Sequence, residues 1–368
     1  MTTGCNALYG SLSNDANPVA PSAGEKGHSE VKLINTRRGL AVLAIASTAA
    51  LLAACSSTTK PSSNGLDDGF GKRSADRKAY FFTYYNAASD VFWAQIQKGA
   101  DDAAKLGGLK MVNQTAAGDD SKMVDLIQAA IAQKPALMFI PFNSGEKWVK
   151  QACEAHQAGI SIIAYNVPAP DDGKACVDGF VGQDFTAVGK ILGQQLLKDV
   201  PDLSSGDTVL LPAEEPSQPY AIQRGGGVQQ ALDAKGVKGV YLRTSGTDSD
   251  ALDAMTTWLT AHKDVKAIVP LGGTPNRNAV AAEDAAGVKV PIVGFDTSPQ
   301  VIAAIKSGRE LATADQQGYV QGFQSVMQGV LKIDFGLSAA DINSGGNGLI
   351  TKDNVTFLEA KDLQGVRY

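Results

Sequence analysis

A thiol at Cys55, set directly behind Leu52-Ala53-Ala54, is placed for acylation. This arrangement resembles the bacterial lipobox, in which the chain is cut just before the cysteine and the sulfur carries lipid. The residues upstream agree with it. Lys32, Arg37 and Arg38 form a basic flank, Leu40-Ala-Val-Leu-Ala-Ile-Ala46 is apolar, and small residues lead into the cysteine. That order is the order of a secretory signal. A buried core helix would need a polar face, and Leu40 to Ala54 has none beyond Ser47 and Thr48. The stretch from about Gly39 to Ala54 is also short for a stable membrane span. Export and a lipid anchor on the outer face of a membrane are therefore expected.

Residues 1–54 read as leader and signal, but residues 1–30 fit poorly, being polar and rich in Ser, Asn, Gly and Pro with no apolar period. One reading starts translation at Val31 from a GTG codon; the alternative is a genuine extended leader. Thr36-Arg37-Arg38-Gly39-Leu40 partly matches a twin-arginine signal, so the export route stays open. Residues 55–77 are polar and read as a flexible tether. Of the four cysteines, Cys5 lies in the doubtful leader and Cys55 is assigned to lipid. Cys153 and Cys176 remain, and outside the cytoplasm a disulfide between them is expected, with two buried free thiols as the other reading.

Other reactive side chains form no catalytic set. His28 lies in the leader, and His156 and His262 fall within helical patterns. Neither a Ser/His/Asp arrangement nor metal-ligand spacing occurs, so no catalysis, metal or cofactor is expected. Gly225-Gly226-Gly227 sits inside a helical pattern without a preceding strand turn, unlike a phosphate loop. A formal net charge of −5 without a long Lys/Arg run argues against a nucleic-acid partner.

Short apolar runs alternating with amphipathic stretches must position whatever chemistry remains. Strands are predicted at Ala79–Tyr84, Leu109–Asn113, Ala136–Ile140 and Ile160–Tyr165, with helices near 91–106, 121–134 and 146–158. Gly107 and Gly159 would cap the first and third of these helices, and Pro135 stops the second. The second half repeats the rhythm, with strands near Thr208, Gly239, Ala267 and Val290 and helices near 220–235, 249–262, 277–286 and 299–307. Such alternation means βαβ units on parallel sheets. Length, 368 residues, accommodates two lobes.

A weak internal repeat relates the lobes. Pro141 to Asn166 and Pro270 to Asp296 each run strand, helix, Ala-Gly turn, strand, spanning 25 and 26 residues. Ligands of doubly wound sheets lie beyond the carboxyl ends of strands. Asn166 and Asp296 are thus candidates to face one another across a cleft.

Four segments then carry a family resemblance: Asn86 with Asp90-Val-Phe-Trp93; Val181-Gly-Gln-Asp184 with Gly189 opening a helix; Ile292-Val-Gly-Phe-Asp296; and Leu311-Ala-Thr-Ala-Asp-Gln316. In this order, from about Lys78 to Lys332, they resemble the type I periplasmic sugar-binding family, which includes the ribose- and galactose-binding proteins. The resemblance implies an α/β fold of two doubly wound parallel-sheet lobes joined by hinge strands. The first lobe would comprise 78–184 plus 316–340, the second 185–315 plus 341–368. It further implies a sugar or polyol ligand, delivery to the permease of an ABC importer, and a monomer. A sensor that presents its ligand to a membrane receptor stays open as the alternative. A transcription regulator sharing the fold would need a DNA-binding helix pair where this chain has an export signal.

A sugar offers C–H faces to aromatic rings and hydroxyls to carboxylates and amides. By resemblance, one of Phe92 and Trp93 stacks on the ligand, Asp296 binds hydroxyls and Gln316 supplies an amide from the hinge side. Asn166 stands where relatives carry Asp. Asn86, Asp90 and Asn143 are further candidates, with turn and cap roles as their alternatives. Asp296 could instead cap the helix after Ser298-Pro299. Two departures stand out: Ile222 replaces an arginine of the family pattern, and Gly272-Gly273 replaces Asn-Asp. Arg224 then reads as structural, Tyr220 as a candidate for the pocket, and the pocket as poorer in polar groups.

Overall fold

The computed structural model describes residues 69–345, 348–360 and 363–367. Cys55, the leader and most of the expected tether lie outside the described residues. The tether's last residues are not free, contrary to expectation. Gly71, Arg73 and Ser74 donate backbone N–H groups to the carboxylate of Asp334, and Ser74 Oγ donates to the Gly107 carbonyl at 2.8 Å. A buried carboxylate needs such donors, and these residues dock to supply them.

The first lobe begins with β1 (Lys78–Thr83), α1 (Val91–Gly107), β2 (Lys110–Thr115), α2 (Asp120–Ala132), β3 (Leu137–Ile140), α3 (Val149–Gln157), β4 (Ser161–Asn166) and β5 (Gly179–Gly182). The second holds α4 (Phe185–Asp199), β6 (Thr208–Ala213), α5 (Pro219–Leu232), β7 (Lys238–Arg243), α6 (Asp248–Ala261), β8 (Ala267–Ile268), α7 (Gly273–Ala286), β9 (Val293–Phe295), α8 (Pro299–Ser307) and β10 (Ala312–Ala314). The chain then returns through α9 (Gly318–Phe335) and β11 (Ile342–Asn343) to end near β12 (Leu349–Thr351).

Strand order in the first lobe is β11-β5-β4-β3-β1-β2, parallel throughout. In the second lobe β7-β6-β8 and β12-β10-β9 are joined by a bridge between Ile268 and Ile292. Helices cover both faces, so central strands read as unbroken apolar runs. All four residues of β3 are buried. Ile342 and Asn343, expected in the second lobe, instead extend the first lobe's sheet, where Ile342 pairs with Val181. The return to the second lobe comes only with β12, antiparallel to β10.

Helix starts follow side-chain chemistry. Asp90, Asp119, Asp184 and Ser298 each accept a backbone N–H three residues on, which satisfies an otherwise orphaned donor. Gly108, rather than Gly107, adopts the left-handed conformation that closes α1. Each lobe also packs one helix pair through glycine. A Cβ on Gly322 of α9 would lie 1.9 Å from the Ile96 carbonyl of α1, and one on Gly227 of α5 would lie 2.2 Å from the Thr186 carbonyl of α4. The Gly225–Gly227 run therefore serves helix contact. Cys153 of α3 is disulfide-bonded to Cys176, 23 residues on. Closing a loop of that size restricts the unfolded chain by about 3 kcal/mol.

Candidate binding cleft

The carboxyl ends of the strands in the two lobes face one cavity of about 1150 Å³. All nine residues singled out from sequence line it: Asn86, Asp90, Phe92, Trp93, Asn143, Asn166, Tyr220, Asp296 and Gln316. Their geometry separates their roles.

Asn166 ends β4 and Asp296 follows β9, and both hold positive φ, 59° and 73°. Neither is glycine, so the left-handed backbone costs on the order of 1 kcal/mol at each. That turn lets both side chains reach one bridging group. Gln316 donates through Nε2 to Asp296 Oδ1, and its Oε1 accepts from Asn166 Nδ2 at 3.4 Å. Asn166 Nδ2 also donates to Gln321 Oε1 at 3.2 Å. The polar ends of the two repeat units are thus joined through a residue of the crossing segment. Asp296 does not cap α8; Ser298 does, with Pro299 in the first helical position.

Asp90 is both cap and cavity wall. Its Oδ1 accepts from the Trp93 N–H at 3.1 Å, while Oδ2 lies 3.9 Å from an Arg277 nitrogen across the cleft. Asn86 is exposed at the rim, and its Oδ1 accepts from the Ala88 N–H at 3.0 Å, so its side chain is committed to the turn. Phe92 and Trp93 both border the cavity, where only one was expected. Trp93 is buried, with edge contacts to Tyr85, Phe92 and Tyr165 at 6.0–6.4 Å between centroids. Phe92 is only half-buried and is the freer ring. Asn143 is buried after β3, with its Oδ1 unpartnered.

Tyr220 lines the cavity, but its hydroxyl is already engaged. It donates to Glu214 Oε2 at 2.6 Å and accepts from the Glu215 N–H at 3.2 Å. Arg224 is buried in the same wall, its guanidinium carbon 4.5 Å from the ring centroids of both Phe185 and Phe295 and 5.3 Å from Tyr220. It donates to the Leu271 carbonyl at 2.6 Å. Burial pushes the Asp296 carboxyl from 3.8 up to about 6, against the opposing pull of Arg224 and Gln316, while Glu214 and Asp90 push further upward. Burial likewise raises Asp90 above the usual carboxylate range.

Glu214, Gln218, Arg224 and Arg277 also line the cavity but were not among the candidates read from sequence. Glu214 follows β6 directly, the strand-end position that identified Asn166, and that rule would have found it. Gln218, at the start of α5, donates to the Tyr84 hydroxyl at 3.2 Å across the cleft. Arg277 of α7 reaches Asp248 at 2.6 Å as well as Asp90. The lobes therefore also touch across the cleft at Gln218–Tyr84 and at Arg277–Asp90.

The periplasmic binding protein domain family matches residues 80–336. A xylose/arabinose-binding protein of Sulfolobus acidocaldarius is 27% identical over 299 residues, 76% of this chain and 73% of that protein. A D-ribose/D-allose-binding protein of Pseudomonas aeruginosa is 30% identical over 204 residues, 54% of this chain and 63% of that protein. Among solved structures, a carbohydrate transporter from Acidothermus cellulolyticus, in complex with myo-inositol, superposes with a TM-score of 0.71 at 24% identity, covering 79% of this chain and all of that one. With two parallel-sheet lobes, three crossings and a polar cleft at the strand ends, the chain belongs to the periplasmic binding protein family, in its type I fold.

Proposed function

We propose that this protein captures a neutral sugar or polyol between its lobes and delivers it to an ABC permease, while a lipid on Cys55 holds it at the outer face of a membrane. The Asn166–Gln316–Asp296 bridge is the observation that carries the reading. In it Gln316, on a segment that crosses between the lobes, is hydrogen-bonded to Asn166 of one lobe and to Asp296 of the other, which supports a ligand seated there and contacted from both sides. Rings at Phe92 and Trp93 offer a face for C–H surface. Closure of two lobes about crossing segments is the motion such a site needs. Relatives of this chain are binding proteins rather than enzymes, and the cleft needs no reactive group for this task.

A thermal-shift screen of the purified protein against D-ribose, D-xylose, L-arabinose, xylitol and myo-inositol tests the ligand class. A ligand present at about a thousand times its Kd stabilises the folded state by about 4 kcal/mol, a rise in Tm on the order of 10 °C. Silence toward all five would sink the reading. The anchor is tested separately. Cells fed a clickable palmitate analogue should label the wild-type chain and not Cys55→Ser, and equal labelling of both would remove Cys55 as the acylated residue.

A further inference from the structure

The departure at Gly272-Gly273 has a structural counterpart. Gly272 precedes α7 and Gly273 opens it. A Cβ on Gly272 would lie 2.0 Å from Glu214 Oε2, and one on Gly273 would lie 3.3 Å from Asp296 Oδ2. The space left by two absent side chains is thus taken up by two carboxylates arriving from neighbouring strand ends. Glu214 is 8% exposed and held on both oxygens: the Thr274 N–H donates to Oε1 at 2.9 Å, and the Tyr220 hydroxyl donates to Oε2. The first turn of α7 also supplies positive potential to an anion. Arg277 extends from the same helix toward Asp90. Glu214 and Arg277 thus stand in the cavity wall beside the two glycines.

A carboxylate has about four acceptor sites. Thr274 and Tyr220 occupy two, and Glu214 borders the cavity, where Asn143 Oδ1 and Gln218 Oε1 are further buried acceptors without partners. Acceptors in excess call for a ligand rich in hydroxyl donors. We propose that Glu214 is a ligand-contacting, specificity-determining residue, positioned by Tyr220 and Thr274 in the space Gly272 leaves open, which accepts hydroxyl hydrogen bonds from a polyhydroxylated ligand. The assignment rests on the sugar or polyol reading above.

The test uses whichever compound of that panel raises the wild-type Tm most, with affinities taken by calorimetry. Glu214→Gln keeps the shape and removes the charge, and roughly 10- to 100-fold weaker binding is expected, the range for a lost charge-assisted hydrogen bond. Gly272→Ala should weaken binding comparably by expelling the carboxylate. The double variant should be little worse than the poorer single one, because both remove one group. A deoxy analogue lacking the hydroxyl that Glu214 reads should bind E214Q and wild type with similar affinity. If Glu214→Gln does not fold, Tyr220→Phe leaves the carboxylate in place but loosened, and a several-fold loss is expected from it. Wild-type-like affinity in the folded variants overturns the assignment of Glu214 alone. A lowered ligand-free Tm with unchanged affinity does the same, marking Glu214 as structural. A wild type that binds none of the panel overturns the ligand reading, and this assignment with it.

Discussion

Asp296→Asn should make the ligand-free protein more stable at pH 7.5 while weakening its ligand binding. The carboxyl is 7% exposed, and burial pushes its pKa from 3.8 up to about 6 even with Arg224 and Gln316 opposing the rise. A folded-state pKa above the unfolded value means that the folded chain holds the proton longer. Its contribution is therefore most favourable at low pH and declines as pH climbs from about 4 through about 6. At 1.36 kcal/mol per tenfold change in proton affinity, ionised Asp296 costs the fold about 3 kcal/mol. Asn has the shape of the protonated acid, can still accept from Gln316 and cannot ionise. Urea unfolding from pH 4 to 8 should show wild type and variant converging near pH 4 and separating by up to about 3 kcal/mol above pH 7. Ligand binding should move the other way. Hydroxyl donors favour the ionised carboxylate, so wild-type affinity should rise between pH 5 and 7, and the variant should bind roughly tenfold or more weakly. A variant less stable than wild type at pH 7.5 would mean that attraction to Arg224 outweighs desolvation.

That trade of stability for binding was partly visible in the sequence. Alternating runs and the two Pro-to-polar repeat units located Asn166 and Asp296 at strand ends, because sheet topology puts strand ends together whatever their separation in the chain. Arg277 had no such signal. It sits within a helix, and its cross-cleft partner Asp90 is fixed only by how the lobes meet. Glu214 is open to the same strand-end rule, but nothing local in the sequence shows that Gly272 clears its space. Tyr220 was placed at the cavity, but its hydroxyl partner could not be read before Glu214 was known. The strands β10, β11 and β12 are two or three residues long, too short for a period-two pattern to register. The docking of residues 71–74 depends on Asp334, some 260 positions away. Composition alone, polar and low in apolar residues, reads the same for a docked segment as for a free one.

Arg224→Met carries the largest expected loss of stability. The guanidinium lies against Phe185 and Phe295 and donates to the Leu271 carbonyl. Attraction from Asp296, Tyr220 and Glu214 counters the burial that depresses its own proton affinity. Met fills much of the volume and keeps some contact with the rings, so the loss reports chiefly on charge. It removes a cation that attracts Asp296 and Glu214 in the cleft wall, and it takes the hydrogen bond from the buried Leu271 carbonyl. Removing one partner from a buried charged set costs about 3–5 kcal/mol. The cost should depend on pH in a defined direction. Arg224 is the largest influence lowering the Asp296 pKa, so without it that pKa moves above 6 and the variant loses stability as pH rises over a window extending further upward. At pH 5, where Asp296 is protonated in both proteins, the difference should be smaller than at pH 8. Adding Asp296→Asn to Arg224→Met should recover about 1–3 kcal/mol at pH 8 and little at pH 5, the coupling expected of adjacent charges. A loss independent of pH, with strictly additive substitutions, would assign Arg224 to packing alone and leave Asp296 raised by burial without an electrostatic counterweight.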